Sequence, residues 1–168
     1  ALIVDVFQAL AAGQSIEIRS PRALRPWQHV LQCLSGYLTI GAKLLQSNDG
    51  EYCSGWNIGP MPGNELPVQK VVEHFIECWG YGEFVDVSDP NQLAEANILR
   101  LCIDKAIWKL GWRPRWSTCE SLAKTVQWYR SYLQNPHCIR DVSLTQIADY
   151  QHALTGESSA NSVVASSE

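Results

Sequence analysis

The stretch IRSPRALRPWQHVLQCLSGYL, residues 18 to 38, sets a stiff basic loop between a short strand and a long helix. Just upstream, Ile16 and Ile18 alternate with Glu17 and Arg19, the period of a half-buried strand. Pro21 and Pro26 restrict the loop, because each fixes its own φ. Arg19, Arg22 and Arg25 fall within seven residues of a protein whose net charge is −4. From Gln28 to Gln46, Leu31, Leu34, Leu38, Ala42 and Leu45 recur at helical spacing. They predict a long amphipathic helix.

Working outward, residues 2–12 predict a helix closed by Gly13. Strand-like runs are expected at Tyr52–Ile58, Phe84–Val87 and Ile98–Cys102. Pro67 suits a helix's first turn, with Val68, Val71, Val72, Phe75, Ile76 and Trp79 as its buried face and Gly80 at its end. A short helix at Ile103–Leu110 is stopped by Gly111. Ser117 and Glu120 form an S-x-x-E capping box for a helix reaching Leu133. Ser143 and Gln146 predict a second box, opening a last helix that ends near Leu154. The serine-rich end, residues 155–168, is expected to be disordered. Helices thus outnumber short strands without a regular strand–helix alternation. The expected class is α+β, with one folded lobe over residues 1–154.

Arginines on a rigid loop suit a phosphate or diphosphate, since each guanidinium donates two parallel hydrogen bonds. Trp27 offers an apolar plate beside them. A solvated basic loop with Trp27 as a core anchor fits the same residues. In Gly55-Trp56-Asn57-Ile58-Gly59-Pro60, Asn57 is placed either to brace a turn or to donate and accept at a site. Glu95 and Arg100 flank a strand start and could form a surface pair or reach a ligand. Most of the seven tryptophans read as core packing.

The chain has 168 residues, 46% hydrophobic and 18% charged, enough for one domain with a real core. The acidic balance argues against a broad nucleic-acid surface. There is no apolar run of about 18 residues, so no membrane helix is expected. The six cysteines lack CxxC spacing and the four histidines are scattered. They predict reduced thiols in a cytoplasmic protein and no metal site. No Gly-rich dinucleotide fingerprint, P-loop or Tyr-x-x-x-Lys pair is present, so no catalytic residue is assigned.

The first block resembles the run I-R-N-P-x-x-I-R-P-W-Q-H-V-L-x-x-L-S-G-Y-L of CDP-glucose 4,6-dehydratases, in the extended short-chain dehydrogenase/reductase superfamily. SGWNIGP (54–60), LGWRPRW (110–116) and TVQWY (125–129) resemble later blocks of that family, in order. AEANILRLC (94–102) resembles H-E-A-x-x-L-K-L-D, with Ala94 for His, Arg100 for Lys and Cys102 for Asp. The resemblance covers about residues 2–154 and only the carboxyl half of such an enzyme. It implies a fragment: the substrate-binding lobe of an NAD-dependent epimerase/dehydratase, without its Rossmann half. That other half would bind NAD and carry the catalytic Tyr-x-x-x-Lys. The implied parent is a lyase that oxidises the sugar at C4, expels water across C5 and C6, and returns the hydride to C6. It would be a homo-oligomer whose dimer helices lie in the other half. By the same resemblance Arg25 meets the diphosphate, Arg19 flanks the nucleobase, and Glu95 and Arg100 line the nucleotide side. A stand-alone nucleotide-sugar-binding module is the alternative.

Overall fold

The computed structural model describes residues 1–47, 50–89 and 97–156. Five α-helices dominate: α1 (Leu2–Ala11), α2 (Val30–Gln46), α3 (Val68–Trp79), α4 (Thr118–Gln134) and α5 (Ile139–Thr155). The strands are very short: β1 (Ile16–Ile18), β2 (Leu24–Arg25), β3 (Leu66–Pro67) and β4 (Phe84–Asp86). β1 pairs in parallel with β4, Ile16 opposite Phe84 and Ile18 opposite Asp86. β2 pairs antiparallel with β3, Arg25 opposite Leu66.

The main core follows from three amphipathic patterns. β1 turns Ile16 and Ile18 inward and Glu17 outward. α3 buries Val71, Val72, Phe75 and Trp79, residues three and four apart on one face. α1 adds Val6 and Leu10, and α4 adds Leu122 and Val126. Gly80 at φ +100° ends α3, a left-handed turn that glycine adopts without a Cβ penalty. A smaller core of Ile58, Ile103, Ala106, Leu110 and Trp112 sits near α2.

Several expected elements take another form. Tyr52–Ile58 is not a strand. A turn donates the Cys53 N–H to Gly50, and Trp56 Nε1 bonds the Tyr52 carbonyl at 3.1 Å, so the chain folds on itself there. The expected strand at Ile98–Cys102 reduces to one parallel bridge, Ile98 to Leu24. The helix at 103–110 carries a π-helical turn over Ala106–Leu110, ended by Gly111 at φ +67°. Pro67 lies in β3 and caps α3 from outside. α5 starts at Ile139, four residues before the expected box. Ser143 lies inside the helix and donates to the Ile139 carbonyl at 2.8 Å. Ser117 does cap α4, with Glu120 returning the bond as expected. Trp108 is 81% exposed, unlike the core tryptophans. The expected disorder at the end concerns mostly residues 157–168, outside the described part.

α2 is the expected long amphipathic helix, yet Leu34, Leu38 and Leu45 of its apolar stripe are exposed, Leu45 by 90%. The inward side carries Gln32, 1% exposed, and Gly36, whose absent Cβ would stand 2.7 Å from Ile58. Polar bonding explains the choice. Gln32 Oε1 accepts the backbone N–H groups of Arg115 at 2.9 Å and Trp116 at 3.1 Å, and its Nε2 donates to Ser121 Oγ at 3.3 Å. Ser35 Oγ meets Trp112 Nε1 at 2.9 Å and the Tyr150 hydroxyl at 3.0 Å. These bonds join α2 to the 112–116 segment, α4 and α5. No described helix is long and apolar enough to cross a membrane. All six cysteines are free thiols.

Candidate functional site

α1, β1 and the loop after β1 enclose an open cleft of about 850 Å³. The antiparallel pairing of β2 with β3 sets Arg25, and the loop just beyond turns Trp27 toward the same cleft. Arg19, Arg25 and Trp27 all line it, together with Asp5 and Gln8 of α1. Arg19 leaves the end of β1 and is exposed. Arg25 is half-buried, and one of its terminal nitrogens donates to the Leu24 carbonyl at 2.8 Å. Trp27 is fixed by Nε1 bonding the Leu66 carbonyl at 3.0 Å and by packing against the main core. Trp27 is thus a core anchor, as one reading expected, and it also lines the cleft.

The remaining candidates lie elsewhere. Asn57 Nδ2 donates to the Cys102 carbonyl at 3.1 Å, bracing the 55–60 turn against the 101–103 segment. Arg100 Nε lies 3.8 Å from Glu65 Oε1, whose side chain is only 5% exposed. The other oxygen of Glu65 accepts the Gly63 N–H at 3.0 Å. Neither Asn57 nor Arg100 lines the arginine cleft. Glu95 lies outside the described residues. Arg22, the third arginine of the loop, is exposed. It helps to lower the Asp86 carboxyl, after the stronger effect of hydrogen bonds from Ser88.

Three contributors escaped the sequence reading. Asp5 and Gln8 stand three apart on α1, and that polar spacing was the available signal. Glu65 gave no such signal, because only the folded chain brings it to Arg100. His29 caps α2, its Nδ1 accepting the Leu31 N–H at 3.3 Å. Burial, and then the charge of Lys124, lowers its pKa to about 4, so the imidazole is neutral near pH 7. Among the described residues no cluster of three or more His, Cys, Asp or Glu could hold a metal ion.

Two guanidiniums and an indole lining one cleft have the chemistry to hold an anion joined to a planar group. The arginines supply paired donors to phosphate oxygens, and Trp27 supplies a face. Asp5 and Gln8 add an acceptor and a mixed donor–acceptor for polar edges.

No family model matches the chain. The CDP-glucose 4,6-dehydratase of Salmonella typhimurium (strain LT2) is 34% identical to it over 154 residues. That match takes in 92% of the chain. The chain is a relative of the CDP-glucose 4,6-dehydratases. It spans 42% of the length of the Salmonella dehydratase. The fold has solved counterparts too. A dTDP-glucose 4,6-dehydratase from Bacillus anthracis, in complex with NAD, matches with TM-score 0.64 at 21% identity. It takes in 84% of this chain and 42% of that one. A UDP-glucuronic acid 4-epimerase from Bacillus cereus matches with TM-score 0.64 at 13% identity, over 78% of this chain and 40% of that one. At these identities the likeness is one of fold. The fold that this dehydratase-like chain shares with these solved enzymes fills about two fifths of their length.

Proposed function

We propose that residues 1–154 are the nucleotide-sugar-binding part of an NAD-dependent 4,6-dehydratase that converts CDP-glucose to CDP-4-keto-6-deoxyglucose and water. The observation that supports this most is the convergence of Arg19, Arg25 and Trp27 on one cleft. It comes in a chain 34% identical to a CDP-glucose 4,6-dehydratase. In this reading Arg25 holds the diphosphate, Arg19 and Trp27 bound the nucleotide, and Asp5 and Gln8 face its polar edges. Arg100, held by Glu65, stabilises the loop beside β3.

The described residues do not fit a dinucleotide. β1 runs into Arg19-Ser20-Pro21, with no glycine-rich turn and no helix opening directly behind the strand. NAD, which carries the redox chemistry of such enzymes, would be held by the rest of the enzyme's length. What these residues do is bind and orient the substrate.

Calorimetric titration with CDP tests the reading. Binding should be saturable, and Arg25→Ala should weaken it by roughly 10- to 100-fold, the ~1.5–3 kcal/mol of a charged hydrogen bond. Arg113→Ala, an exposed position away from the cleft, should leave it unchanged. Equal affinity in wild type and Arg25→Ala would remove Arg25 from the site. A flat titration of the folded chain would remove the cleft.

A further inference from the structure

Two buried side chains that the arginine cleft does not use meet in one place, each with half of its hydrogen-bonding capacity idle. His29, at the head of α2, is 7% exposed, and Gln146 of α5 is 4% exposed. His29 Nδ1 accepts the Leu31 N–H, so in the neutral ring Nε2 carries the hydrogen. Gln146 Nε2 donates to the Lys124 carbonyl at 2.8 Å, which fixes the amide's orientation and turns Oε1 the other way. Neither His29 Nε2 nor Gln146 Oε1 has a partner among the described residues. A polar group left unpaired at such burial costs free energy until something completes it.

Both side chains line a single pocket between the head of α2, α4 and α5. Its other walls include Leu31, Trp128, Tyr129 and Ile147. The aromatic rings are held in place. Trp128 Nε1 donates to Ser143 Oγ at 3.0 Å, and Tyr129 stacks on Phe7 with ring centroids 4.2 Å apart. Trp116 stands edge-on to the His29 ring at 5.0 Å. Among the described residues no Asp, Glu, Lys or Arg lines the pocket, so a charged ligand would lose its water there without a counter-ion. The volume, about 280 Å³, lies at the lower edge of small-molecule sites and admits one or two rings. The pocket shares no lining residue with the arginine cleft.

We infer that this pocket is a second binding site, for a neutral planar ring that carries a cyclic amide, a lactam. The lactam carbonyl accepts the His29 Nε2–H, its N–H donates to Gln146 Oε1, and the ring lies against Trp128 and Tyr129. In a lactam the carbonyl and the N–H share one edge, so a single ligand edge completes both unpaired groups. A purely apolar ligand would leave both unpaired. A carboxylate would set acceptor against acceptor at Gln146 and lose its hydration. The site goes beyond the nucleotide-sugar reading, which draws on the arginine cleft alone.

The test titrates the 168-residue chain with isoquinolinone, a two-ring lactam, followed by ligand-observed NMR, with CDP titrated in parallel. Saturable binding with a Kd below about 1 mM is expected for a ligand of this size. N-methylisoquinolinone keeps the rings and the carbonyl but has no N–H, and should bind at least tenfold more weakly. Ile147→Trp, at a wall position 39% exposed, should fill the pocket and abolish binding without changing CDP affinity. Leu144→Trp, 51% exposed on the same helix outside the pocket, should leave binding intact. Gln146→Met should weaken the lactam at least tenfold and its N-methyl form little. If circular dichroism shows that Gln146→Met does not fold, the comparison of the two ligands on the unaltered chain carries the same test. Equal affinity for the two ligands overturns the inference, as does binding that survives Ile147→Trp, or no saturation at all. Loss of CDP binding with lactam binding intact would sink the cleft assignment and leave this site standing.

Discussion

Replacing Gln32 with leucine keeps the volume and removes every polar bond the side chain makes. Two backbone donors lose their acceptor: the Trp116 N–H, which is buried, and the Arg115 N–H, which is partly so. An orphaned buried donor costs about 1–3 kcal/mol, less where water can reach it. With ~2 for Trp116 and ~1 for Arg115, Gln32→Leu should destabilise the fold by about 3 kcal/mol. For a chain of this size each kcal/mol moves the midpoint by roughly 2–4 °C, so Tm should fall by about 6–12 °C. Thermal unfolding followed by circular dichroism, with urea midpoints as a check, reads this directly. Ser121→Ala sharpens it. Ser121 accepts from Gln32 Nε2, so its loss should cost about 1 kcal/mol in wild type and almost nothing beside Gln32→Leu. A fall in Tm below about 2 °C would refute the claim that Gln32 joins α2 to the 112–116 segment.

The pH dependence of stability should carry the signature of His29. Its folded pKa, about 4, lies below the unfolded value near 6.5, so the unfolded chain binds the proton more tightly. Stability should therefore drop as pH falls from 6.5 to 4, by up to about 3 kcal/mol, and His29→Gln should flatten that slope in Tm measured against pH. Gly36→Ala should destabilise by about 1–2 kcal/mol, because the new Cβ meets Ile58 at 2.7 Å and overpacking outweighs the gain in helix propensity. In an Ile58→Ala background the same substitution should cost less than in wild type, read as a double-mutant cycle in urea denaturation. Ser117→Ala should cost about 1 kcal/mol by opening the capping box of α4, visible as a Tm lower by about 2–4 °C.

Local rules reached far into this fold. α1, α3 and α4 lie within a residue or two of where periodicity and capping put them, and β1 shows the inward isoleucines its alternation promised. The rules failed where distant polar partners decide. Periodicity found α2 but not its buried side, because Gln32 and Ser35 are drawn inward by groups 77 to 115 residues further along the chain, while Gly36 packs on Ile58. Ser143 looked like a cap since its sequence neighbours fit one, yet Ile139 begins the helix and takes the serine's hydroxyl. The two-residue strands β2 and β3 are too short for any repeating pattern to show. For the site, a dense cluster of unusual residue types was readable: Arg19, Arg25 and Trp27 come from one loop and meet in one cleft. Asn57 was read as a turn brace or a polar group at a site, and Arg100 as half of a surface pair or, by resemblance, on the nucleotide side; the folded chain gives them the Cys102 carbonyl and Glu65.

The parallel pairing of β1 with β4 has a consequence for how the chain comes off the ribosome. Ile16 waits for Phe84, about 70 residues later, with α2, β3 and α3 between them. At 5–20 residues per second that is a delay of roughly 3–14 s. Closing so long a loop costs about 4 kcal/mol in chain entropy before any contact repays it. During that interval the isoleucines of β1 and the arginine loop have emerged without their partner strand. The nascent chain therefore shows an unpaired apolar strand for as long as β4 is awaited. A slower passage through codons 20–84 would lengthen its exposure to chaperones and to aggregation alike.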